Sequence, residues 1–132
     1  VNAVAKFAAL CGTAFQLQDD ILGVIGQEET LGKPIGSDLR EGKRTLVVYT
    51  AYHNAGDRER RRIMRVLGNQ NASETDVLET ISLLRDLGGI DSVAARAKTL
   101  IEEARPLLDA IPDSPYRNLL YQWADFLINR EF

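Results

Sequence analysis

A chain of 132 residues can bury at most one core, so we expect a single domain or part of one. Hydrophobic residues make up 45% of the sequence, which excludes an intrinsically disordered chain, and the net charge of −3 gives no basic excess for a nucleic-acid partner. The longest apolar runs are too short for a transmembrane helix.

The cysteine content and the first residues bear on location and completeness. Cys11 is the single cysteine, so an internal disulfide is impossible, which indicates a reducing compartment and a cytoplasmic protein. The chain opens inside a helical pattern, without an initiator Met and without a capping residue before it. We interpret it as a piece of a longer protein; a trimmed leader is the alternative.

Residues 1–25 predict one amphipathic helix, because apolar residues recur at helical spacing. Asp19 and Asp20 stand side by side near its end, and Asp19 extends the predicted apolar stripe one turn beyond Phe15. A carboxylate beside a buried seam is costly unless a positive group meets it, so this pair predicts a cationic partner. The predicted apolar positions are Val4, Phe7, Ala8, Cys11, Ala14, Phe15, Leu22 and Ile25.

Glycines mark two further features. Gly12 costs about 1 kcal/mol in mid-helix relative to Ala, which is typical either of a close approach to a neighbour or ligand or of a tolerated glycine. Residues 26–43 hold four glycines and a proline, which predicts a loop. Ordered loops of this length are often functional, and this one carries Lys33 and Lys43.

The rest of the sequence predicts helices. Residues 44–54 could form a short strand, but their helical surroundings favour a buried helix. Residues 57–67 predict a short helix whose outward arginine run is typical of a solvated face. Ser73 and Ser114 are predicted N-caps, and Pro106 is expected to kink the regular helix 90–111. The residues expected to face inward include Ile63, Met64, Leu67, Val77, Ile81, Leu84, Tyr116, Leu119, Leu120, Trp123 and Leu127.

These elements predict an all-α fold, with about six helices and one long loop. Several of the apolar stripes are wide, so we expect helices to pack on more than one neighbour.

The acidic pair and the two loop lysines predict a site for magnesium and a diphosphate. Magnesium is usually held by one or two carboxylates together with substrate phosphates, which Asp19 and Asp20 would suit. Lys33 and Lys43 would supply point charges for phosphate oxygens and stabilise a leaving diphosphate. The alternative is a solvated pair of carboxylates and unrelated loop lysines. We expect His53 to be structural.

Two segments carry a family resemblance. Residues 15–23 (FQLQDDILG) and 32–45 (GKPIGSDLREGKRT) closely resemble the second aspartate-rich region of the trans-isoprenyl diphosphate synthases, the polyprenyl synthetase family. Residues 123–130 are similar to the C-terminal helices of that family, with less specificity. The resemblance implies the all-α isoprenoid synthase fold, a multi-helix bundle with a deep central cavity, of which residues 1–132 would form the C-terminal portion.

The resemblance also implies a reaction of isoprenoid biosynthesis. Enzymes of this family are prenyltransferases that use Mg²⁺ to ionise an allylic diphosphate and condense it with isopentenyl diphosphate. Family members are usually homodimers. The implied roles are metal binding for Asp19 and Asp20, diphosphate binding for Lys33 and Lys43, a place beside the metal for Gln16, a cavity-facing place for Phe15, and support of the loop for Asp38, which would pair with a lysine.

The sequence departs from the family pattern at two points. Gly23 replaces the usual third aspartate, as in a bacterial geranylgeranyl-type subgroup, which favours Asp19 as the metal ligand. The family's other aspartate-rich motif and its basic residues for isopentenyl diphosphate are missing. We therefore expect the fragment alone to be inactive, and its residues do not fix the product chain length.

Two alternatives to a fragment of a prenyl synthase stay open from the sequence. The chain could be a non-catalytic helical subunit that modulates a full-length synthase. It could also be a bare helical module without a ligand.

Overall fold

The computed structural model describes residues 2–26 and 34–129, and these residues form helices and no strand, as the sequence predicts. In chain order the elements are α1 (Asn2–Ile25), α2 (Ser37–Arg40), α3 (Leu46–Asn54), α4 (Asp57–Val66), α5 (Glu74–Asp86), α6 (Gly89–Ala104), a 3₁₀ helix (Arg105–Ala110) and α7 (Pro115–Ile128). None of these helices is long and apolar enough to cross a membrane.

The described residues divide into two compact units. The first contains residues 2–18 and 95–129, and the second contains residues 19–26 and 34–94. Helices α1 and α6 each contribute residues to both units.

The first unit is built on a helical stripe of α1. Phe7, Cys11 and Ala14 are buried at spacings of three and four residues, which places them on one face of the helix. Gln18 continues this face, and its side-chain amide donates a 2.8 Å hydrogen bond to the carbonyl oxygen of Leu127. The other buried members of this core are Ala97, Leu100, Ile101, Ala104, Leu108, Ala124 and Leu127.

The predicted face of α1 is therefore rotated from the observed one. Val4 and Phe15, which were expected inside, are 43% and 41% exposed. Gln18, a polar residue that pattern counting places outside, takes an inward position here because its side chain has a buried backbone partner. Asp19 consequently lies beside the buried stripe, half-buried, and not at its end.

The second unit packs α3 and α4 against α5. Val47, Ile63 and Leu84 are fully buried examples from the three helices. The predicted helix over residues 44–54 is confirmed, but only one of its faces is buried, since Tyr49 is largely exposed. Met64 is also exposed, contrary to expectation, because Ile63 and Val66 take the inward positions of α4.

Helix α7 turns a different face inward than its aromatic residues predict. Ala124 and Leu127 are buried, whereas Tyr116 is 78% and Leu119 is 60% exposed. Trp123 lies at the rim, 40% exposed, with its ring edge-on to Phe7 at a centroid distance of 6.1 Å. Ala124 and Leu127 thus take the inward positions of α7, and its large side chains Tyr116, Leu119 and Phe126 lie at the surface.

The predicted helix boundaries are largely confirmed. The hydroxyls of Ser73 and Ser114 accept hydrogen bonds from the N–H groups of Asp76 and Arg117, as N-caps do. Pro106 does not kink an α-helix; instead α6 ends at Ala104 and the chain continues as a 3₁₀ helix. Part of the predicted loop 26–43 forms α2, and its residues 27–33 lie outside the described part of the chain.

Gly12 provides a stability test on α1. Among the described residues, no neighbouring atom lies within 4 Å of a Cβ built at Gly12, so these residues provide no close approach to a neighbour there. We expect Gly12→Ala to stabilise the protein by about 0.5–1 kcal/mol, because alanine loses less backbone entropy on folding. Urea unfolding followed by circular dichroism measures this change.

Gly88→Ala is the matched control for that measurement. Gly88 has equally open surroundings but a φ of 82°, which alanine adopts only at a cost of about 1–2 kcal/mol. Stabilisation by one substitution and destabilisation by the other is the expected pair of results. The same sign for both would contradict the account.

Cys11 tests the burial of the first core. Desolvation raises the pKa of its thiol, so the reactive thiolate is scarcer than in an exposed cysteine. Because the pKa is raised in the folded protein, the free energy of unfolding is unaffected by this thiol below its ordinary pKa. It decreases as the pH rises above that value, since the unfolded chain ionises first. We expect iodoacetamide to alkylate Cys11 slowly in the native protein and rapidly in denaturing urea; equal rates would show that the thiol is accessible.

Candidate functional site

The C-terminal part of α1 carries the predicted acidic pair. Asp19 and Asp20 are adjacent and half-buried, in the last two turns of the helix. Phe15 and Gln16 are exposed one turn earlier, and the helical spacing of four puts Asp19 below Phe15 and Asp20 below Gln16. Four of the predicted site residues therefore come from one continuous helix, which fixes their order along its surface.

Two adjacent carboxylates are oxygen donors of the kind that magnesium uses. In residues 2–26 and 34–129 no three His, Cys, Asp or Glu side chains cluster in a way that could hold a metal ion. An acidic pair by itself leaves most of the coordination sphere to other oxygens. Magnesium accepts that arrangement, because it keeps waters and takes substrate phosphates as ligands.

Helix α2 is short but firmly attached to the second unit. Gly36 precedes it with a φ of 73°, and a Cβ there would come within 2.3 Å of the Val77 side chain. The carbonyl of Leu39 accepts a 2.8 Å hydrogen bond from the N–H of Gly68. Arg40 donates to the carbonyl oxygens of Ala72 and Ile35. These contacts hold the segment that carries Asp38 and leads to Lys43.

Asp38 and Lys43 form an ion pair at the end of α2. The Lys43 Nζ atom lies 3.8 Å from Asp38 Oδ1, and the N–H of Lys43 donates a 3.0 Å hydrogen bond to the Asp38 carbonyl. The Asp38 side chain is 7% exposed, whereas the Lys43 side chain is 55% exposed. The prediction that Asp38 pairs with a lysine is thus confirmed for Lys43. The other predicted lysine, Lys33, lies outside the described residues.

Gly23 contacts this pair from α1. A Cβ at Gly23 would lie 1.9 Å from Asp38 Oδ2 and 2.4 Å from Asp38 Cγ. From the sequence alone, Gly23 is only the loss of a third carboxylate. The structure shows that the carboxylate of Asp38 occupies the space beside it, and no local sequence signal joins positions 23 and 38.

The remaining candidates make packing contacts. The His53 ring stacks on Tyr49 at a centroid distance of 6.1 Å. Cys11 is fully buried, as predicted for a small apolar residue. Arg60 is an exception within the solvated arginine run, since its guanidinium lies over the Tyr52 ring at 4.8 Å and donates to the Tyr52 carbonyl at the end of α3.

Comparison with known proteins assigns the chain to a family. The polyprenyl synthetase family profile matches residues 1–84, which include every predicted site residue. The chain belongs to the polyprenyl synthetase family. The resemblance predicted from the two motifs is confirmed at this level.

Individual relatives agree with the family assignment. The chain is 41% identical over 121 residues to the geranylfarnesyl diphosphate synthase of Aeropyrum pernix, a match that covers 90% of this chain and 37% of the relative. It is 36% identical over 131 residues to a short chain isoprenyl diphosphate synthase of Methanothermobacter thermautotrophicus, covering 99% of this chain and 40% of the relative.

Solved structures share the fold. The geranylgeranyl pyrophosphate synthetase of Pyrococcus horikoshii matches with a TM-score of 0.87 and 38% identity, over 98% of this chain and 39% of that one. The Corynebacterium glutamicum geranylgeranyl pyrophosphate synthase, complexed with isoprenyl diphosphate and magnesium, matches with a TM-score of 0.90 and 30% identity, over 98% and 37%. The all-α isoprenoid synthase fold is therefore confirmed.

The chain spans about two fifths of the length of these relatives and corresponds to their C-terminal part. The relatives' names include geranylgeranyl, geranylfarnesyl and nonaprenyl diphosphate synthases. Relatives that are similar to this chain are therefore named for products of different chain length.

Proposed function

We propose that this chain is part of a prenyltransferase that condenses isopentenyl diphosphate with an allylic diphosphate. Within it, the chain would carry the second aspartate-rich site for magnesium and diphosphate. The observation that carries this proposal is the pairing of two elements in one family fold: half-buried carboxylates at the end of α1, and a lysine held by Asp38 at the end of α2. A geranylgeranyl-type enzyme of the cytoplasm, active as a homodimer, is our proposal for the parent protein.

Asp19 and Asp20 would hold the Mg²⁺ ion, with Asp19 as the principal ligand. When bound, the ion would neutralise charge on the diphosphate and help it to leave. The half-burial of both carboxylates supports this role, because a partly desolvated anion interacts more strongly with a cation than a fully hydrated one.

Lys43 would bind diphosphate oxygens from the α2 side. Its side chain is more than half exposed although it is paired with Asp38, so its ammonium can donate to a ligand as well. As the bond to the diphosphate breaks, negative charge grows on the oxygens, and a fixed ammonium stabilises that charge without reorganising. We propose Lys33 for the same diphosphate.

Phe15 and Gln16 would border the substrate. The 41% exposure of Phe15 leaves an aromatic surface available to an apolar chain, and Gln16 lies on the turn that leads to the carboxylates. The aromatic ring would contact the hydrocarbon part of the allylic substrate while the carboxylates and lysines hold its charged end.

The binding half of this proposal is testable with the chain itself. We expect titration calorimetry to detect pyrophosphate binding that requires Mg²⁺. Asp19→Asn should weaken it by about tenfold or more, since even residues that only support a metal ligand are typically worth 10–100-fold. Asp86→Asn, which removes an exposed carboxylate at the end of α5, is the control and should leave the affinity unchanged. Equal effects of the two substitutions would contradict the assignment.

For catalysis, we expect this chain alone to form no product. The family's other aspartate-rich motif is absent from the sequence, so the chain holds only one side of the proposed metal site. Incubation with geranyl diphosphate, radiolabelled isopentenyl diphosphate and Mg²⁺ should give no extracted product above background. Product formation would show that the residues present are sufficient.

A further inference from the structure

Helix α1 approaches α2 at a point that leaves no room for a side chain. The position of a Cβ at Gly23 lies 1.9, 2.4 and 2.9 Å from Oδ2, Cγ and Oδ1 of Asp38. All three atoms belong to one short carboxylate that is buried, so moving it means moving a charge within the protein. Any side chain at position 23 must displace the Asp38 carboxylate.

The need for glycine at this position is a matter of space. Gly23 lies in regular helix and is not among the glycines with positive φ, which are Gly36, Gly42, Gly68 and Gly88. An L-residue would therefore fit its backbone. At Gly12, on the same helix, no neighbouring atom of the described residues lies within 4 Å of the corresponding Cβ position. The two glycines of α1 thus differ only in what surrounds them.

The same carboxylate also forms an ion pair with Lys43. Its ammonium lies 3.8 Å from Asp38 Oδ1, and its backbone N–H donates to the Asp38 carbonyl. A displacement of the Asp38 carboxylate by a group at position 23 is therefore transmitted to the lysine that we assign to the diphosphate.

We infer that Gly23 is a positioning residue, whose missing side chain makes the space in which Asp38 holds the Lys43 ammonium. The inference builds on the proposed diphosphate site. The contact between α1 and α2 therefore requires glycine at the position where the family motif has its third aspartate. A side chain at position 23 would displace Asp38 and thereby weaken the placement of Lys43.

A double-mutant cycle tests the spatial part without any ligand. Gly23→Ala should lower the folding equilibrium constant about tenfold, the effect expected of an overpacked contact, while Gly12→Ala raises it. In an Asp38→Ala background the blocking atoms are gone, so Gly23→Ala should become as harmless as Gly12→Ala. Additive effects of the two substitutions would overturn the inference. Asp38→Asn keeps the shape of the side chain and should preserve the penalty.

The link to Lys43 has its own measurement. Trace acylation of amines, read by mass spectrometry, compares the reactivity of Lys43 with that of Lys98, an exposed lysine of α6. Gly23→Ala should raise the relative reactivity of Lys43 several-fold, and Gly12→Ala should not change it. No change in the Gly23→Ala protein would overturn the positioning role, even if that protein is less stable.

Pyrophosphate titration with Mg²⁺ then separates this inference from the proposed function. If the wild-type chain binds, Gly23→Ala should weaken binding several-fold under conditions in which it is fully folded. Unchanged affinity would overturn the inference while the proposed function stands. If the wild-type chain does not bind but the cycle and the acylation give the expected results, the proposed function fails and the Gly23–Asp38–Lys43 contact stands.

Discussion

The burial of one carboxylate, that of Asp38, is the constraint on which the α2 region depends. A charge taken out of water must be compensated, and a four-residue helix has little core of its own to offset that cost. The compensation comes from several directions: Lys43 supplies positive charge, Gly23 supplies space, and Arg40 and Leu39 tie α2 to neighbouring backbone. The C-terminal part of α1 and helix α2 therefore meet at this buried carboxylate.

Local chemistry was sufficient to predict most of the elements. Ser73 and Ser114 cap the helices that they were expected to cap, because capping depends on a few consecutive residues. The expected kink at Pro106 was wrong, since the α-helix ends at Ala104 and the chain continues as a 3₁₀ helix. The faces of α1 and α7 were predicted less well, since they depend on which helix lies opposite. Gln18 is buried with a hydrogen bond to a residue more than a hundred positions away, and the periodicity of α1 does not predict that partner.

In the candidate site, too, features within a motif could be predicted, whereas a contact between two helices could not. The motif residues from 15 to 23 and from 32 to 45 identified the family, and within it the pairing of Asp38 with a lysine was foreseen. The relation between Gly23 and Asp38 was not, because it is a distance between two helices and not a property of either motif. A motif compared letter by letter scores a glycine in place of an aspartate as a loss. In the structure, the space that a side chain at position 23 would need is occupied by the carboxylate of Asp38.

The position of Trp123 gives the chain a built-in optical reporter. It is the only tryptophan in the sequence, it lies at the rim of α7 between the exposed Leu119 and Phe126 and the buried Phe7, and it is 40% exposed. Indole emission shifts to shorter wavelength when water is removed from the ring. Any molecule that covers the outer face of α7 would therefore change the colour of the fluorescence.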